Sequence, residues 1–373
     1  MSPGFLYLDI EPEVAGVARH AVASRLSFAL WDSIPDPELR EAAGNGQLET
    51  AAQIEFQAGR MLADPRAKAK MREFFHHWLE LEERDLAKDR GMFPEFDETV
   101  IADLRRSLEL FIEQVVWSES SDYRELLTAD YLILNDRLRR LYTADSDDPE
   151  DGAISTGAGS SHSEFERVSL SGRRAGVLTH PYLLSAFAYP DNTSPIHRGV
   201  FLTRNIMGRP LKPPPVAVAF KDDEFEGDFT MREKITRLTR DAACMSCHSV
   251  INPLGFALEN FDAVGRWRAT DKDKPLDTKS RYETGEGSTV EIENALDVAR
   301  FAVGSESAQR AFVNQLFRYL VKQDSSAYGP GTLDQLRLAF EEDQFNIQNL
   351  MVGIATLAAG LDNPVMTASK AQP

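Results

Sequence analysis

The stretch Cys244-Met245-Ser246-Cys247-His248 constrains this chain more than any other. Its two cysteines are the only ones among 373 residues, and they form a C-x-x-C-H pattern. Two thiols three residues apart on one helical turn can each add to one of the two vinyl groups of a haem, and a histidine directly after the second thiol then lies under the iron as an axial ligand. The pattern therefore predicts one covalent haem c, with His248 as a metal ligand.

Three other interpretations of the two cysteines stay open at this point. A C-x-x-C pair can be a thioredoxin-like redox disulfide, but that needs a βαβ context, and the flanking residues are not strand-like. It can be half of a zinc site, but a second Cys/His pair is then required, and the remaining histidines are scattered along the chain. The pattern can also arise by chance. The remaining histidines are His20, His76, His77, His162, His180 and His197.

The residues that follow the motif support haem attachment. Pro253-Leu254-Gly255 predicts a turn in which the proline carbonyl accepts the hydrogen on Nδ1 of His248 and fixes the ring as a ligand. The apolar side chains that we expect to cover one face of the haem are Leu254, Phe256, Leu258 and Phe261. Ordinary core packing is the alternative explanation for these four residues.

At this point the chain resembles a known family. The run from Cys244 to Arg268, CMSCHSVINPLGFALENFDAVGRWR, is similar to the haem segment of large multi-domain proteins abundant in planctomycetes, which carry consecutive domains of unknown function around a cytochrome c motif. Further motifs of this family occur in the same order: ASRLSFALWDSIPDPELREAA (23–43), RMLADPRA (60–67), RRAGVLTHPYLLSAFA (173–188), SPIHRGVFLTRNIMGRPLKPPP (194–215) and AQRAFVNQLFRYLV (308–321). The resemblance implies a haem domain, but it does not imply a reaction, because the family is largely uncharacterised.

An iron that only transfers electrons needs a sixth ligand on the side opposite His248. Met207 and His197 come first, because both lie in the segment 194–215 that carries the resemblance. Met245 lies inside the attachment loop and is poorly placed. The full set of candidates is Met207, Met231, Met351, His180 and His197. Spacing does not choose among them, because the fold brings such a ligand to the iron.

Arginines near the motif are candidates to bind the haem propionates, since a guanidinium pairs well with a carboxylate. These candidates are Arg198, Arg266 and Arg268. The alternative is a structural ion pair with one of the many acidic residues, and the sequence does not decide between the two.

The helical periodicity of the chain predicts a mainly α fold. We expect helices at 12–34, 97–117, 305–322, 331–342 and 346–360, a helix starting at Asp64-Pro65, and a helix over 230–243 that leads into the motif. The expected organisation is a helical N-terminal domain at 1–143, a flexible acidic linker at 144–164, a haem c region with extended proline-rich segments at 165–268, a loop at 269–289, a small helical C-terminal domain at 290–362 and a disordered tail at 363–373.

The composition limits which kinds of partner the chain can bind and where in the cell it can function. The net charge of −18, from 59 acidic and 41 basic residues, argues against nucleic acid and against anionic membrane surfaces, and it permits docking of a basic redox partner. No run approaches the roughly 20 apolar residues of a membrane helix. Haem c is attached outside the cytoplasm, so we expect a periplasmic or otherwise extracytoplasmic location.

The start of the chain lacks the signal peptide that such a location requires. Residues 1–7 contain neither a basic n-region nor an apolar h-region. The family resemblance accounts for this, because SPGFLY (2–7) is similar to an interior segment of the longer family proteins. We therefore expect this chain to be a piece of a longer protein, with its export signal and further domains upstream.

One haem motif, without a second cofactor motif or a paired acid–base constellation beside it, favours an electron carrier over an enzyme. A catalytic haem of the peroxidase or oxidase type, with its sixth position open, is the first alternative, and His180 or His197 would then supply acid–base groups. An interaction or scaffold module with a structural haem is the second alternative. The coordination of the iron distinguishes the carrier from the enzyme.

Overall fold

The computed structural model describes residues 15–82, 84–143, 164–170, 172–212, 220, 225 and 227–360. Helices make up 57% of the structure and strands 8%, which confirms the expected mainly α fold. The expected linker, apart from its last residue, the proline run 213–215 and the expected tail at 363–373 lie outside the described residues. None of the helices in the described ranges is long and apolar enough to cross a membrane.

The helices, in chain order, are α1 (Ala15–Trp31), α2 (Pro37–Gly44), α3 (Ala51–Leu62), α4 (Pro65–Trp78), α5 (Glu98–Val116), α6 (Tyr123–Thr128), α7 (Asp136–Tyr142), α8 (Pro181–Ala186), α9 (Pro195–Phe201), α10 (Met231–Leu238), α11 (Ala242–Phe256), α12 (Ala295–Gly304), α13 (Glu306–Val321), α14 (Thr332–Glu342) and α15 (Ile347–Ala358). The strands are β1 (Tyr131–Leu134), β2 (Glu166–Ser169), β3 (Thr270–Asp271), β4 (Lys274–Pro275), β5 (Ser280–Glu283) and β6 (Thr289–Ile292). Short 3-10 turns occur at Gly176–Thr179 and Ser325–Tyr328, and a π turn occurs at Leu202–Ile206.

Most of the expected helices are present within a few residues of their expected bounds. Those expected at 97–117, 305–322, 331–342 and 346–360 are α5, α13, α14 and α15. Local capping explains why these bounds are readable from sequence. The side chain of Asp36 accepts the N–H of Leu39 at 2.8 Å at the start of α2, and Pro37 occupies the first helical position.

The chain divides into two compact units, each built from segments that are distant in sequence. The first comprises the described residues within Met1–His76, Val116–Tyr123 and Phe312–Pro373, and the second comprises those within His77–Val115 and Arg124–Ala311. We expect consecutive domains from the sequence, whereas these units interleave along the chain. The domain boundaries expected from the sequence, which follow one another along the chain, stay a prediction of which segments fold independently.

The first unit has an aromatic core that joins its distant segments. The ring of Tyr123 lies 4.4 Å from the ring of Phe312, which in turn stacks on Phe340 at 6.0 Å. Phe74 completes this cluster with an edge contact to Phe312. Large buried rings of this kind stabilise a core through their area and their edge-to-face geometry.

The second unit adds three two-stranded antiparallel sheets to its helices. In the β5–β6 hairpin Ser280 pairs with Ile292 and Glu283 pairs with Thr289. The expected loop at 269–289 is therefore wrong over this stretch, since it contains β3, β4 and β5. The strands are short, and in β5 only Tyr282 is buried, so the alternation is too brief to register as a strand signal.

Two glycines allow α9 and α11 to cross at close backbone contact. A Cβ placed on Gly255 would overlap the carbonyl oxygen of Pro195, and a Cβ on Gly199 would overlap that of Ile251. The expected turn at 253–255 is also wrong, because α11 continues through Pro253 to Phe256. The helix expected over 230–243 is instead two helices, α10 and α11, interrupted after Leu238.

Candidate functional site

The sequence motif lies in the first two turns of α11. The backbone N–H groups of Cys244 and Met245 both bond to the carbonyl of Asp241 at 2.9 Å, which starts the helix. Cys244 and Cys247 are half-buried and are not joined in a disulfide. Because residues three apart are neighbours on a helix surface, the two thiols lie on the same side of α11. His248 follows them on the next turn and is half-buried.

An open groove of about 960 Å³ runs beside the motif. We call it the α11 groove. The α10–α11 segment forms one wall, including Met245, His248 and Phe256, and the β5–β6 hairpin forms the other, including Arg281 and Glu291. The hairpin packs directly on α11. The arrangement leaves the imidazole of His248 facing a space that is large enough for a planar ligand.

The partner of His248 differs from the expected one. Nδ1 of His248 lies 2.9 Å from Oδ1 of Asn252. The carbonyl of Pro253, which the sequence suggests for this role, accepts the N–H of Ala257 at 3.3 Å instead. The reason is that α11 continues past the proline, so that its carbonyl is used within the helix. The amide of Asn252 also donates to Oγ1 of Thr239 at 2.9 Å.

The residues present fit a covalently bound haem. Two free thiols and a histidine whose Nδ1 is bonded, all on one helix beside a groove, are features that such attachment requires. His248 lines the α11 groove, whereas Cys244 and Cys247 are not among its lining residues. The structure gives no support to the zinc interpretation, because within the described ranges no three His, Cys, Asp or Glu side chains converge on a metal position. It gives none to the thioredoxin interpretation either, since the motif lies within α11, directly after α10, and not in a βαβ unit.

The arginines expected at haem propionates form structural ion pairs. The guanidinium of Arg198 is buried and donates to the carbonyls of Leu258, Phe261, Leu184 and Asp262. It also lies 3.7 Å from the carboxylate of Glu259, which Arg268 contacts at 3.2 Å. Arg266 pairs with Asp262 at 2.8 Å.

Burial shifts the ionisation of this cluster. It lowers the pKa of Arg198 to about 10 and raises the pKa of Glu259, which the neighbouring Arg268 and Arg198 oppose. Arg198 therefore keeps its charge at neutral pH and balances a buried carboxylate. None of the three expected arginines is among the residues that line the α11 groove.

Other arginines line the groove, and the sequence did not single them out. The guanidinium of Arg232 already donates hydrogen bonds to the carbonyls of Asp277 and Lys279, so it is not available for a propionate. Arg240 and Arg281 have side chains that are 80% exposed. Arg240 lies in the short connection between α10 and α11, and Arg281 lies on β5, so the tertiary structure brings both to the groove.

The expected sixth ligands do not line the groove. His180 is fully buried; its Nδ1 accepts the N–H of Tyr182 at 3.2 Å and its Nε2 pairs with Oγ of Ser107 at 3.1 Å. Burial lowers its pKa to about 3. His197 is exposed with its ring 5.3 Å from that of Tyr189, and partial desolvation of the ring lowers its pKa as well.

The methionine candidates are also placed elsewhere. Met207 is buried directly after the π turn, and Met231 packs in an apolar cluster with Ile235 and Phe256. Met351 is buried in the first unit. Among the described residues that line the groove, Met245 is the only one with a thioether.

Comparison with known proteins gives two family matches. Residues 17–143 match the family model PSD4, described as a protein of unknown function (DUF1592), and residues 174–271 match PSCyt3, described as a protein of unknown function (DUF1588). The chain thus carries consecutive domains of unknown function, as the family resemblance implies. The second match spans the helix with the C-x-x-C-H pattern and ends before the β5–β6 hairpin. No curated protein and no solved structure matches the chain significantly.

Proposed function

We propose that this chain is a c-type haem protein of extracytoplasmic electron transfer, with the haem held covalently by Cys244 and Cys247 and with His248 as its axial ligand. The observation that carries the proposal is the arrangement on α11, where two free thiols precede a histidine that has a bonded Nδ1 and lines the α11 groove. When bound, the haem supplies an iron that changes its charge by one electron. The residues of this chain attach it, orient it and partly shield it from water.

The walls of the groove suit the two ends of such a cofactor. Phe256 lines the groove but is only 5% exposed, and the guanidinium of Arg232 lies over its ring at 4.5 Å, so a cofactor would contact the edge of this ring and the stacked guanidinium. Arg240 and Arg281 lie at the open side of the groove in exposed ion pairs, 4.0 Å from Asp241 and 3.5 Å from Glu291, and such solvent-exposed pairs can exchange their carboxylate for one of the cofactor. We assign them the role that the sequence suggested for Arg198, Arg266 and Arg268.

A catalytic haem with an open sixth position is the second candidate. One observation favours it: among the described residues that line the groove, no histidine other than His248 and no thioether other than Met245 is present. An iron with only one protein ligand binds small molecules such as hydrogen peroxide. The two candidates therefore differ in the coordination of the iron.

The first experiment is expression with a cytochrome c maturation system followed by intact mass and acid–acetone extraction. We expect one haem that resists extraction. Cys244→Ser and Cys247→Ser should each weaken covalent attachment, whereas Ser246→Ala, a matched change inside the motif, should retain it. Haem-free protein, or haem that is lost in the extraction, would contradict the proposal.

The ferric absorption spectrum then separates the two candidates. Low-spin, six-coordinate iron that turns high-spin when one of Met207, Met231, Met351, His180 and His197 is replaced would identify the carrier and its ligand. High-spin iron in the unmodified protein, with a rapid reaction with hydrogen peroxide, would establish the catalytic candidate instead.

A further inference from the structure

We propose that Asn252 is a positioning residue for His248: it selects the Nδ1–H tautomer of the imidazole and leaves Nε2 as the nitrogen available at the α11 groove. The consequence for the iron rests on the proposed function. The choice of tautomer does not rest on the proposed function, because His248 and Asn252 are in contact in the protein without haem.

The hydrogen bonds around Asn252 run in one direction. The hydroxyl of Thr239 has a single proton, and it donates that proton to the carbonyl of Ile235 at 2.8 Å. The oxygen of Thr239 is then an acceptor for Nδ2 of Asn252 at 2.9 Å. The amide of Asn252 is thereby turned so that Oδ1 faces His248.

This orientation dictates where the proton of the imidazole lies. A carbonyl oxygen can only accept a hydrogen bond, so Nδ1 of His248, at 2.9 Å, must donate. In the neutral ring Nε2 then carries the lone pair, which is the form that binds a metal. A chain of hydrogen bonds thus runs from His248 through Asn252 and Thr239 to the carbonyl of Ile235, and it connects the imidazole to the backbone of α10.

Burial makes this orientation hard to reverse. Asn252 is 7% exposed and Thr239 is 3% exposed, so water does not readily replace either bond. Leaving a buried donor or acceptor without a partner is unfavourable, because the group loses its hydrogen bond to water without gaining another. Outer hydrogen bonds of this kind fix the ring of a metal-bound histidine and increase its electron donation to the metal.

The first test uses the protein without haem. Histidine labelled with ¹⁵N gives long-range proton–nitrogen spectra that distinguish the two neutral tautomers, and His248→Gln identifies the signals of His248. We expect the Nδ1–H form in the unmodified protein and a shift toward the Nε2–H form in Asn252→Leu. An Nε2–H ring in the unmodified protein, or no change in Asn252→Leu, would overturn the proposal.

Variants at Thr239 keep the test decisive if Asn252→Leu does not fold. Thr239→Val removes the hydroxyl that orients the amide, so it should shift the tautomer in the same direction as Asn252→Leu but less. Thr239→Ser keeps a hydroxyl at this position and should therefore show the Nδ1–H tautomer of the unmodified protein. Thr203→Val is a matched control, because Thr203 is also buried and its hydroxyl also donates to a carbonyl four residues earlier.

The second test uses the protein with haem and measures the reduction potential. Asn252→Asp places a carboxylate beside Nδ1 of His248 and should lower the potential. Asn252→Leu should raise it, and Thr239→Ser should leave it unchanged. If haem is attached but the potential does not follow this order, the positioning role fails and the proposed function stands. If the tautomer shifts as expected but no haem is ever attached, the proposed function fails and the role of Asn252 in orienting His248 stands.

Discussion

At the scale of single residues, histidine and arginine serve two purposes in the second unit, and burial separates them. His248 is half-buried with Nδ1 bonded to Asn252, whereas His180 is fully buried with both ring nitrogens engaged. Arg240 is exposed on the α11 groove, whereas Arg198 is buried against four carbonyls and Glu259. Residue type alone therefore overestimates how many of these side chains face the α11 groove.

His180 should make the stability of the protein depend on pH. Its pKa of about 3, caused first by burial and then by Arg174, lies below the usual 6.5. Between these values the unfolded chain binds a proton that the folded protein does not, so the free energy of unfolding falls as the pH drops, by up to about 1.4 kcal/mol per pH unit. This contribution should be absent in His180→Gln.

Urea unfolding between about pH 7 and pH 4 measures this slope. The slope and not the absolute stability is compared, because the substitution also removes buried hydrogen bonds. His20→Gln, at an exposed position, is the control and should keep the slope of the unmodified protein. Equal slopes for His180→Gln and the unmodified protein would count against the prediction.

Arg198→Leu should destabilise the protein without changing its haem spectrum. The substitution leaves the buried Glu259 short of one of its two guanidinium partners, and breaking a buried ion pair costs about 3–5 kcal/mol. Arg266→Leu, at a pair that is more exposed, should cost less than about 1 kcal/mol. Unfolding in urea gives both values, and a haem spectrum altered by Arg198→Leu in the folded protein would restore the propionate role.

At the scale of elements, the site depends on how α9, α11 and the β5–β6 hairpin pack. Gly199 and Gly255 bring α9 and α11 into backbone contact, and this contact stabilises α11 over the stretch where the sequence suggests a turn. The continued helix places Asn252 one turn after His248 and uses the carbonyl of Pro253 internally. The hairpin then supplies the opposite wall of the groove.

Gly255→Ala should separate α9 from α11. Its Cβ would overlap the carbonyl oxygen of Pro195, which belongs to a helix backbone and cannot rotate away. Overpacking of this kind costs about 1–3 kcal/mol. Gly304→Ala is the control, because a Cβ there meets nothing within 4 Å. Urea unfolding should show a loss for the first variant and no loss for the second, and equal stability of the two variants would refute the close contact.

Arg240→Ala and Arg281→Ala should each lower the reduction potential of the haem. Both remove positive charge from the groove, and the oxidised iron, which is the more positive state, is then favoured. Arg300→Ala is the control, since Arg300 is exposed on α12 and does not line the groove. Potentiometric titration gives the three values. An unchanged potential in both groove variants would place the propionates elsewhere.

At the scale of the whole molecule, the net charge of −18 determines which partners approach. Complementary charge raises association rates and is screened by salt over about 10 Å at 0.1 M. Electron exchange with a small basic redox protein should therefore slow as the ionic strength rises. An uncharged reductant should show no such dependence, and stopped-flow absorbance of the haem follows both reactions. A rate with the basic protein that rises with salt would contradict the expected partner.

The sequence by itself determined the chemistry at Cys244, Cys247 and His248 as a hypothesis, together with the mainly α fold and the bounds of helices such as α5 and α13. These features depend on residues close together in the chain, through helical periodicity, capping side chains and the spacing of two thiols. Local patterns of this kind carry their information within a few turns.

The tertiary structure alone decided which side chains share the site. Arg281 reaches the groove through a hairpin too short to be recognised, and Arg198 is turned into the core by the carbonyls around Leu258. Asn252, and not the carbonyl of Pro253, is the partner of His248, since α11 continues past the proline where Gly255 packs on α9. The physical reason is common to all three: burial and close packing join residues that are distant in the chain, and periodicity records only that a residue is buried, not what it is buried against.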